Sequence, residues 1–344
     1  MNENTKKREY PAIGPSELRQ DPVSGEWVVI ATGRARRPHD FASAKEKKDL
    51  QPRDACPFEV LFPDARSVYA LGDDGRDDDW FVQAVPNKYP AFVEGVCPVL
   101  REIGPYRAID GIGFHEVVIT RDHERSIGAM TAAETELILR VYQDRFLAIK
   151  KDLCVRYISV FHNQGPEAGA TIAHPHSQII ATPVVPPDIG RSIAGSGAYF
   201  QTHHTCVHCA TLSYERRAGE RVVYENEHAL VLAPFASKTA FELRVLPLRH
   251  EAYFEAAEAS VRLGVADALT VALARISEGL GDPDYNFFLH TAPVGEANRF
   301  GHYHWHIEII PKTAVWAGFE IGTGIEISTI APEDAASFLR DITV

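Results

Sequence analysis

The chain carries the same order of metal-binding and polar residue types twice, once in each half. The first set consists of Cys56, Glu59, His123, His174, His176 and Gln178. The second set consists of Cys206, Cys209, His250, His304, His306 and Glu308. The single histidine precedes its histidine pair by 51 residues in the first half and by 54 in the second. Two copies of one unit, produced by duplication, explain this agreement better than chance does.

Hydrophobic patterning predicts a mixed order of strands and helices in both halves. In the first half we expect strands at 26–31, 115–120 and 157–161, and a helix that begins at Thr131, where Glu134 completes a capping box. In the second half we expect strands at 221–225, 229–233, 241–247, 285–290 and 304–310, a long helix at 260–279 and a final helix at 332–340. The small, polar residues 190–197 indicate a boundary near residue 195. The fold class is therefore α+β, with halves 1–195 and 196–344.

The histidine pairs are predicted to lie on strands. Because side chains at i, i+2 and i+4 of a strand share one face, His174, His176 and Gln178 should point the same way. The alternative is a hydrogen-bonded histidine pair on an exposed strand. Apolar flanking residues favour a strand that enters the core, where an imidazole needs defined partners.

Cysteine and histidine spacing indicates zinc sites. The two-residue spacing of Cys206 and Cys209 lets both sulfurs reach one tetrahedral Zn²⁺, with His250 and His304 completing the set. Free thiols or a redox pair are the alternatives. The first half offers Cys56, Glu59, His123 and His174, with a carboxylate in place of the second sulfur, or else a structural half in which Cys56 is only a packing residue. We expect one or two Zn²⁺ ions per chain.

Composition narrows the class of partner. The formal charge of −12 and the pI of about 5.7 argue against a general nucleic-acid or membrane surface. Arg34, Arg36 and Arg37 could bind a diphosphate, or form a solvated strand end. The five cysteines are sparse and suit a reducing compartment, so Cys97 and Cys154 are interpreted as packing residues and the chain as cytoplasmic.

With these features the chain resembles the galactose-1-phosphate uridylyltransferase family of the histidine-triad superfamily. The resemblance lies in co-linear motifs, namely Asp21-Pro-x-x-Gly25-x-Trp27, Arg34-x-x-Arg37-Pro38, Asn87, Asn163-x-Gly165, His174-Pro-His-Ser-Gln178 and Gly318-Phe-Glu320. It implies a duplicated α+β fold, a homodimer, and a nucleoside-diphosphate sugar and a sugar 1-phosphate as substrates. It further implies that His176 is the nucleophile and Gln178 the amide donor to the phosphoryl group, with zinc on Cys56, His123 and His174.

The other positions matched to the family's substrate pocket are Arg34, Arg37, Asn87, Asn163, Gly165, Ala170, Thr171 and Glu320. Two departures bear on the substrate. Typical uridylyltransferases carry Cys-Ser where this chain has Ala170-Thr171, and the acidic ligand of the family's second metal site matches Ser192. The Cys206 set that stands in its place is closer to the ADP-glucose phosphorylase branch.

Four hypotheses follow. Ping-pong uridylyl transfer between UDP-glucose and galactose 1-phosphate leads, and adenylyl transfer from ADP-glucose is the near alternative. A histidine-triad hydrolase comes third, and the fourth is a zinc-stabilised nucleotide-binding protein without turnover. Glu308 replaces the amide of Gln178 in the second half, where a carboxylate would repel a phosphoryl group, so we expect one active half despite His306.

Overall fold

The computed structural model describes residues 16–34, 52–71, 79–295 and 299–344. Its centre is a ten-stranded sheet in which every neighbouring pair is antiparallel, with the order β10-β11-β12-β14-β13-β8-β9-β7-β4-β3. These strands are β3 (Ser67–Ala70), β4 (Trp80–Pro86), β7 (Phe114–Thr120), β8 (Tyr157–Gln164), β9 (His176–Thr182), β10 (Val222–Glu225), β11 (Ala229–Leu232), β12 (Leu243–Pro247), β13 (Tyr285–His290) and β14 (His306–Pro311).

The sheet has an internal two-fold arrangement. Outward from its centre, the first half runs β8-β9-β7-β4-β3 and the second runs β13-β14-β12-β11-β10, which is the same order of equivalent strands. Strands β8 and β13 pair with each other, and Phe161 lies opposite Phe288. Phe161 pairs with Gln178 on β9, and Phe288 pairs with Glu308 on β14. The two phenylalanines are therefore equivalent residues that meet at the axis.

Two small sheets flank the large one. The first contains β1 (Glu17–Gln20), β2 (Trp27–Ile30) and β15 (Ile327–Ser328), and the second is a hairpin of β5 (Arg101–Ile103) and β6 (Tyr106–Ala108). The helices are α1 (Ala132–Ile149), α2 (Pro187–His203), α3 (Val207–Ala218), α4 (Ala259–Leu280), α5 (Gly318–Thr323) and α6 (Pro332–Arg340).

Helices α1 and α4 occupy equivalent places and cover one face of the large sheet. The predicted capping box is confirmed, because the Thr131 side chain accepts from the Glu134 amide and the Glu134 carboxylate accepts from the Thr131 amide. The two helices pack on each other and bury one continuous apolar core against the sheet, including Tyr142, Phe146 and Phe287. The opposite face of the sheet is left for the histidine clusters. The α+β prediction is confirmed.

Residues 190–197 are not a break in the chain. Helix α2, which was not predicted from the sequence, runs through them, so residue 195 lies inside a helix. The physical reason is close packing, because a Cβ on Gly195 would lie 1.8 Å from the carbonyl oxygen of Val23. The division into halves at residue 195 stays a prediction.

The interpretation of Cys97 and Cys154 as packing residues was also wrong. They form a disulfide that joins the segment before β5 to the turn after α1, and Cys97 is exposed. Cys56, Cys206 and Cys209 are free thiols.

Within the described ranges, no helix is both long and apolar enough to cross a bilayer.

Candidate active site and metal centres

Strand β9 presents alternate residues to the two faces of the sheet. Ser177 points to the helix side, where its hydroxyl bonds to Tyr142 of α1 and to His162 of β8. His176 and Gln178 consequently share the opposite face, as the sequence predicted. His174 lies just before the strand and is fully buried.

The backbone fixes the tautomer of His176. Its Nδ1–H donates to the carbonyl oxygen of His174 at 2.9 Å, which leaves the lone pair on Nε2. Burial lowers the pKa of His176 below its ordinary value, so the neutral form predominates near pH 7. The ring of Phe58 contacts the imidazole edge-on. His176 thus has a neutral ring and an available nitrogen, which is what a nucleophile requires.

Gln178 is held by a neighbour from β7. Its Oε1 lies 2.9 Å from Nε2 of His115, and the same Nε2 lies 3.0 Å from Nδ2 of Asn87. Nδ1 of His115 accepts from the backbone N–H of Ala91. Asn87, predicted to bind substrate, is therefore brought beside Gln178.

The four predicted ligands of the first half form a cluster. Nδ1 of His174 lies 3.6 Å from Sγ of Cys56 and 3.2 Å from Nδ1 of His123, and Oε1 of Glu59 lies 2.5 Å from Nδ1 of His123. The Nε2–H of His174 donates to the carbonyl oxygen of Thr120, so Nδ1 is left to bind a metal. Burial raises the pKa of the Cys56 thiol, so metal binding would have to displace its proton.

The second half contains an equivalent cluster. Sγ of Cys209 lies 3.3 Å from Nδ1 of His250 and 3.6 Å from Nδ1 of His304, and Cys206 completes the group. Nε2–H of His304 donates to the carbonyl oxygen of Pro247, just as His174 donates to Thr120. Each acceptor lies three residues before the single histidine of its own half.

Both clusters fit a tetrahedral zinc ion. In each of them, four sulfur, nitrogen or carboxylate ligand atoms lie within 4.8 Å of one another. Such donors are the usual zinc ligands, and a set of four protein ligands is typical of structural rather than catalytic zinc. A bound ion would tie the start of each histidine strand to distant segments of its half.

The loop after β8 is held by strand β13 of the second half. Nδ2 of Asn286 donates to Oδ1 of Asn163 at 2.8 Å and to the carbonyl oxygen of Ala168 at 2.9 Å. The Asp284 carboxylate accepts from the backbone N–H of Glu167. Gly165 has φ +82°, and a Cβ there would lie 1.9 Å from Oδ1 of Asp284. A glycine is therefore needed at this position for backbone conformation and close approach.

The remaining predicted substrate residues are less fully placed. Ala170 and Thr171 lie in the loop between β8 and β9, and Ala170 N–H donates to the carbonyl oxygen of Gly165. Glu320 lies in α5, where its carboxylate accepts from the backbone N–H of Ala317. Arg34 ends a short 3₁₀ helix, Thr32–Arg34, and Arg36 and Arg37 lie outside the described residues.

The equivalent place in the second half differs in charge. Nδ1–H of His306 donates to the carbonyl oxygen of His304, as in the first half. Glu308, at the Gln178 position, accepts from Nε2 of His290 at 2.8 Å. Burial opposes ionisation of Glu308, but the hydrogen bond from His290 and the charges of Arg244 and Lys238 prevail and lower the pKa of that carboxyl. A cavity of about 270 Å³ lies over His306 and Glu308.

Sequence reasoning missed His115, Asp284 and Asn286. Asp284 and Asn286 belong to the other half of the chain, and only the pairing of β8 with β13 brings them to the loop. His115 carried a usable signal, because it lies in the predicted strand 115–120, but no motif marked it.

Fold and site together define a duplicated histidine-triad protein in which a histidine pair lies at the start of a central strand in each half. A family model described as the N-terminal domain of galactose-1-phosphate uridyl transferase matches residues 6–186, and a model described only as a domain of unknown function matches residues 111–342. The chain belongs to the galactose-1-phosphate uridylyltransferase family, and is thus an enzyme of nucleotidyl transfer.

Relatives of known name cover nearly the whole chain. An ADP-glucose phosphorylase of Arabidopsis thaliana is 33% identical over 334 residues, which are 95% of this chain and 93% of the relative. A galactose-1-phosphate uridylyltransferase of Thermotoga maritima is 29% identical over 95% of this chain and 99% of its own length. The crystal structure of the Arabidopsis thaliana ADP-glucose phosphorylase with bound ADP-glucose superposes with a TM-score of 0.79 at 30% identity, over 96% of this chain and all of the other.

Proposed function

We propose that the chain transfers the nucleotidyl group of a nucleoside-diphosphate hexose to a second phosphate through a covalent nucleotidyl-histidine at His176. The observation that carries the proposal is the hydrogen bond from Nδ1–H of His176 to the carbonyl oxygen of His174, since it directs the free lone pair to Nε2. A neutral imidazole so arranged is a competent nucleophile near pH 7.

The proposed reaction consists of two displacements at one phosphorus atom. Nε2 of His176 attacks the α-phosphorus, the bond from that phosphorus to the bridging oxygen breaks, and hexose 1-phosphate leaves with the electron pair. An oxygen of the second phosphate then attacks the same phosphorus, and the bond to Nε2 breaks. Gln178 donates N–H groups to the phosphoryl oxygens, which stabilises their charge without exchanging a proton.

In this proposal the two clusters of candidate metal ligands have a structural role, which is to hold the histidine strands in place. Bound zinc supplies a rigid cross-link at the start of each histidine strand. His174 is at once the metal ligand through Nδ1 and the acceptor of the His176 hydrogen bond through its carbonyl oxygen. Fixing His174 therefore also fixes the orientation of the His176 ring.

We infer that the donor is ADP-glucose and that the acceptor is inorganic phosphate or a phosphate monoester. Two observations support ADP-glucose as the donor over the uridylyl transfer that the sequence motifs favoured. The relative of 33% identity is an ADP-glucose phosphorylase. The Cys206, Cys209, His250 and His304 set, in which the sequence is closer to that branch of the family, forms a cluster in the structure.

Uridylyl transfer from UDP-glucose to galactose 1-phosphate is the second candidate. The match to the uridyl transferase model over residues 6–186 and the Thermotoga maritima relative favour it.

Separate incubations with ADP-glucose and UDP-glucose test the proposal. Without an acceptor, the correct donor releases up to one equivalent of glucose 1-phosphate per active site, and adding phosphate or galactose 1-phosphate makes the release continuous. Release from UDP-glucose alone would replace the first candidate by the second. Continuous release of free nucleoside monophosphate without an acceptor would indicate a hydrolase. Absence of release from both donors would contradict the whole proposal.

A further inference from the structure

The backbone determines which nitrogen of His115 carries the proton. The N–H of Ala91 donates to Nδ1 of His115 at 3.0 Å. A backbone N–H has no lone pair to offer, so this contact is a hydrogen bond only if Nδ1 carries no proton. Neutral His115 therefore carries its proton on Nε2.

That proton has two neighbours, and only one of them can accept it. Oδ1 of Asn87 accepts from the backbone N–H of Tyr89 at 2.8 Å, so Asn87 turns its NH₂ group toward His115. Two N–H donors do not bond, and the proton on Nε2 therefore goes to Oε1 of Gln178, 2.9 Å away.

The hydrogen bond from His115 to Oε1 also determines which end of the Gln178 amide faces the substrate. An amide can turn over by 180° and exchange its oxygen and its NH₂ group, and only the NH₂ group attracts a phosphoryl oxygen. With Oε1 bound to His115, the NH₂ group is the end left for the substrate. We propose that His115 is the positioning residue that fixes the amide of Gln178 as a donor to the transferred phosphoryl group. This inference rests on the proposed function.

The second half of the chain provides an internal comparison. Strand β12 is the equivalent of β7, and the pairings of Val117 with Gln178 and of Arg244 with Glu308 align the two strands. In this alignment His115 corresponds to Glu242. The half expected to be inactive thus carries Glu242 and Glu308 where the other half carries His115 and Gln178. The imidazole and the amide are present together in one half and absent together from the other, as expected of a pair that acts as a unit.

The contrast is also electrostatic. Glu242 is buried, and burial together with the neighbouring Glu308 raises the pKa of its carboxyl. The ionised carboxylate of Glu308 repels a phosphoryl group, whereas the neutral Gln178 amide of the first half offers N–H donors. The second half is therefore built without the donor arrangement that His115 creates in the first.

A double-mutant cycle tests whether His115 acts through Gln178. His115→Leu removes the N–H donor, whereas His115→Gln places an amide N–H near the position of Nε2. The rate is that of glucose 1-phosphate release in a single turnover, with whichever donor the wild type uses. We expect His115→Leu to lower it roughly 10- to 100-fold with little change in KM, and His115→Gln to restore most of it. In a Gln178→Ala background, His115→Leu should cause no further loss.

Glu242→Gln is the matched control, because it changes the equivalent position of the other half, and its rate should equal that of the wild type. Equal losses from His115→Leu in both backgrounds, or no loss in either, would overturn the inference while leaving the proposed function intact.

A second measurement does not depend on activity. In protein labelled with ¹⁵N-histidine, the NMR signals of His115 are those that the wild type shows and His115→Gln lacks. In the wild type these signals should show a protonated Nε2 and an unprotonated Nδ1. A proton on Nδ1 would refute the inference. A wild type with the expected tautomer but without nucleotidyl transfer would instead contradict the proposed function.

Discussion

His174 and His176, two positions apart, use opposite ring nitrogens for their backbone hydrogen bonds, so a different nitrogen is left free in each ring. His174 donates its Nε2–H to the Thr120 carbonyl and leaves Nδ1 facing the candidate metal ligands Cys56 and His123, whereas His176 donates its Nδ1–H to the His174 carbonyl and leaves Nε2 without a proton. His304 and His306 repeat the pattern. The strand periodicity in the sequence predicts that each pair shares a face. It does not predict which nitrogen is free, because that depends on which backbone carbonyl each ring meets, namely Thr120 at the end of β7 for His174 and His174 itself for His176.

His162 provides a residue-scale prediction about pH. Burial lowers its pKa to about 3, where it lies stacked on Phe287 and bonded to Ser177. The unfolded chain takes up a proton here below pH 6.5, and the folded chain does so only near pH 3. Stability is therefore lost as the pH falls through this window, by about 1.4 kcal/mol for each unit below pH 6.5.

Urea unfolding of the wild type and of His162→Gln at pH 7.5 and 5.5 checks this prediction. The glutamine keeps a hydrogen-bonding side chain without titrating. On going to pH 5.5 the wild type should lose about 1.4 kcal/mol more than the variant. An identical loss in both proteins would show that His162 is not held neutral.

At the scale of elements, helix α2 shows why a glycine-rich stretch can be helical. Gly190 has no atom within 4 Å of its ideal Cβ position, whereas the Cβ of a residue at 195 would meet the Val23 carbonyl. We therefore expect Gly190→Ala to stabilise the protein by up to about 1 kcal/mol through helix propensity. Gly195→Ala should destabilise it by about 1–3 kcal/mol through overpacking.

Thermal unfolding of the two variants provides the comparison, and each is the control for the other because both lie in one helix. A Gly195→Ala protein as stable as the Gly190→Ala protein would show that α2 does not pack on the Val23 turn.

Periodicity and capping signals predicted the elements that carry the site. The strands β7, β8, β9, β13 and β14 and the helices α1, α4 and α6 lie close to their expected positions. Helix α2 was missed because Gly195 is required by a tertiary contact with Val23, and local helix propensity contains no information about such a contact. The Cys97–Cys154 disulfide was missed for the same reason, since it joins segments 57 residues apart.

At the scale of the whole molecule, duplication accounts for a ten-stranded sheet whose two halves share a plan and differ in charge. The candidate ligands were predictable because their spacing repeats. The support that Asp284 and Asn286 give to the loop after β8 was not, since it arises only from the joining of the halves at β8 and β13.

Metal analysis tests the duplicated plan directly. We expect two zinc ions per chain, and one in each of the variants Cys56→Ser and Cys206→Ser, because each removes a ligand from one four-residue cluster only. The Cys206→Ser protein should keep the first-half ion that supports His174. Two zinc ions in either variant, or none in the wild type, would contradict the assignment of the clusters.

The central claim is that one half of this molecule carries out covalent nucleotidyl transfer. The most direct test is peptide mass spectrometry of the enzyme after incubation with the nucleoside-diphosphate glucose that it uses, without an acceptor. The reaction is quenched under conditions that preserve a phosphorus–nitrogen bond. We expect a single nucleotidyl group per chain, on His176, that disappears when phosphate or a sugar 1-phosphate is added. A nucleotidyl group on His306, or glucose 1-phosphate release without any modified histidine, would contradict it.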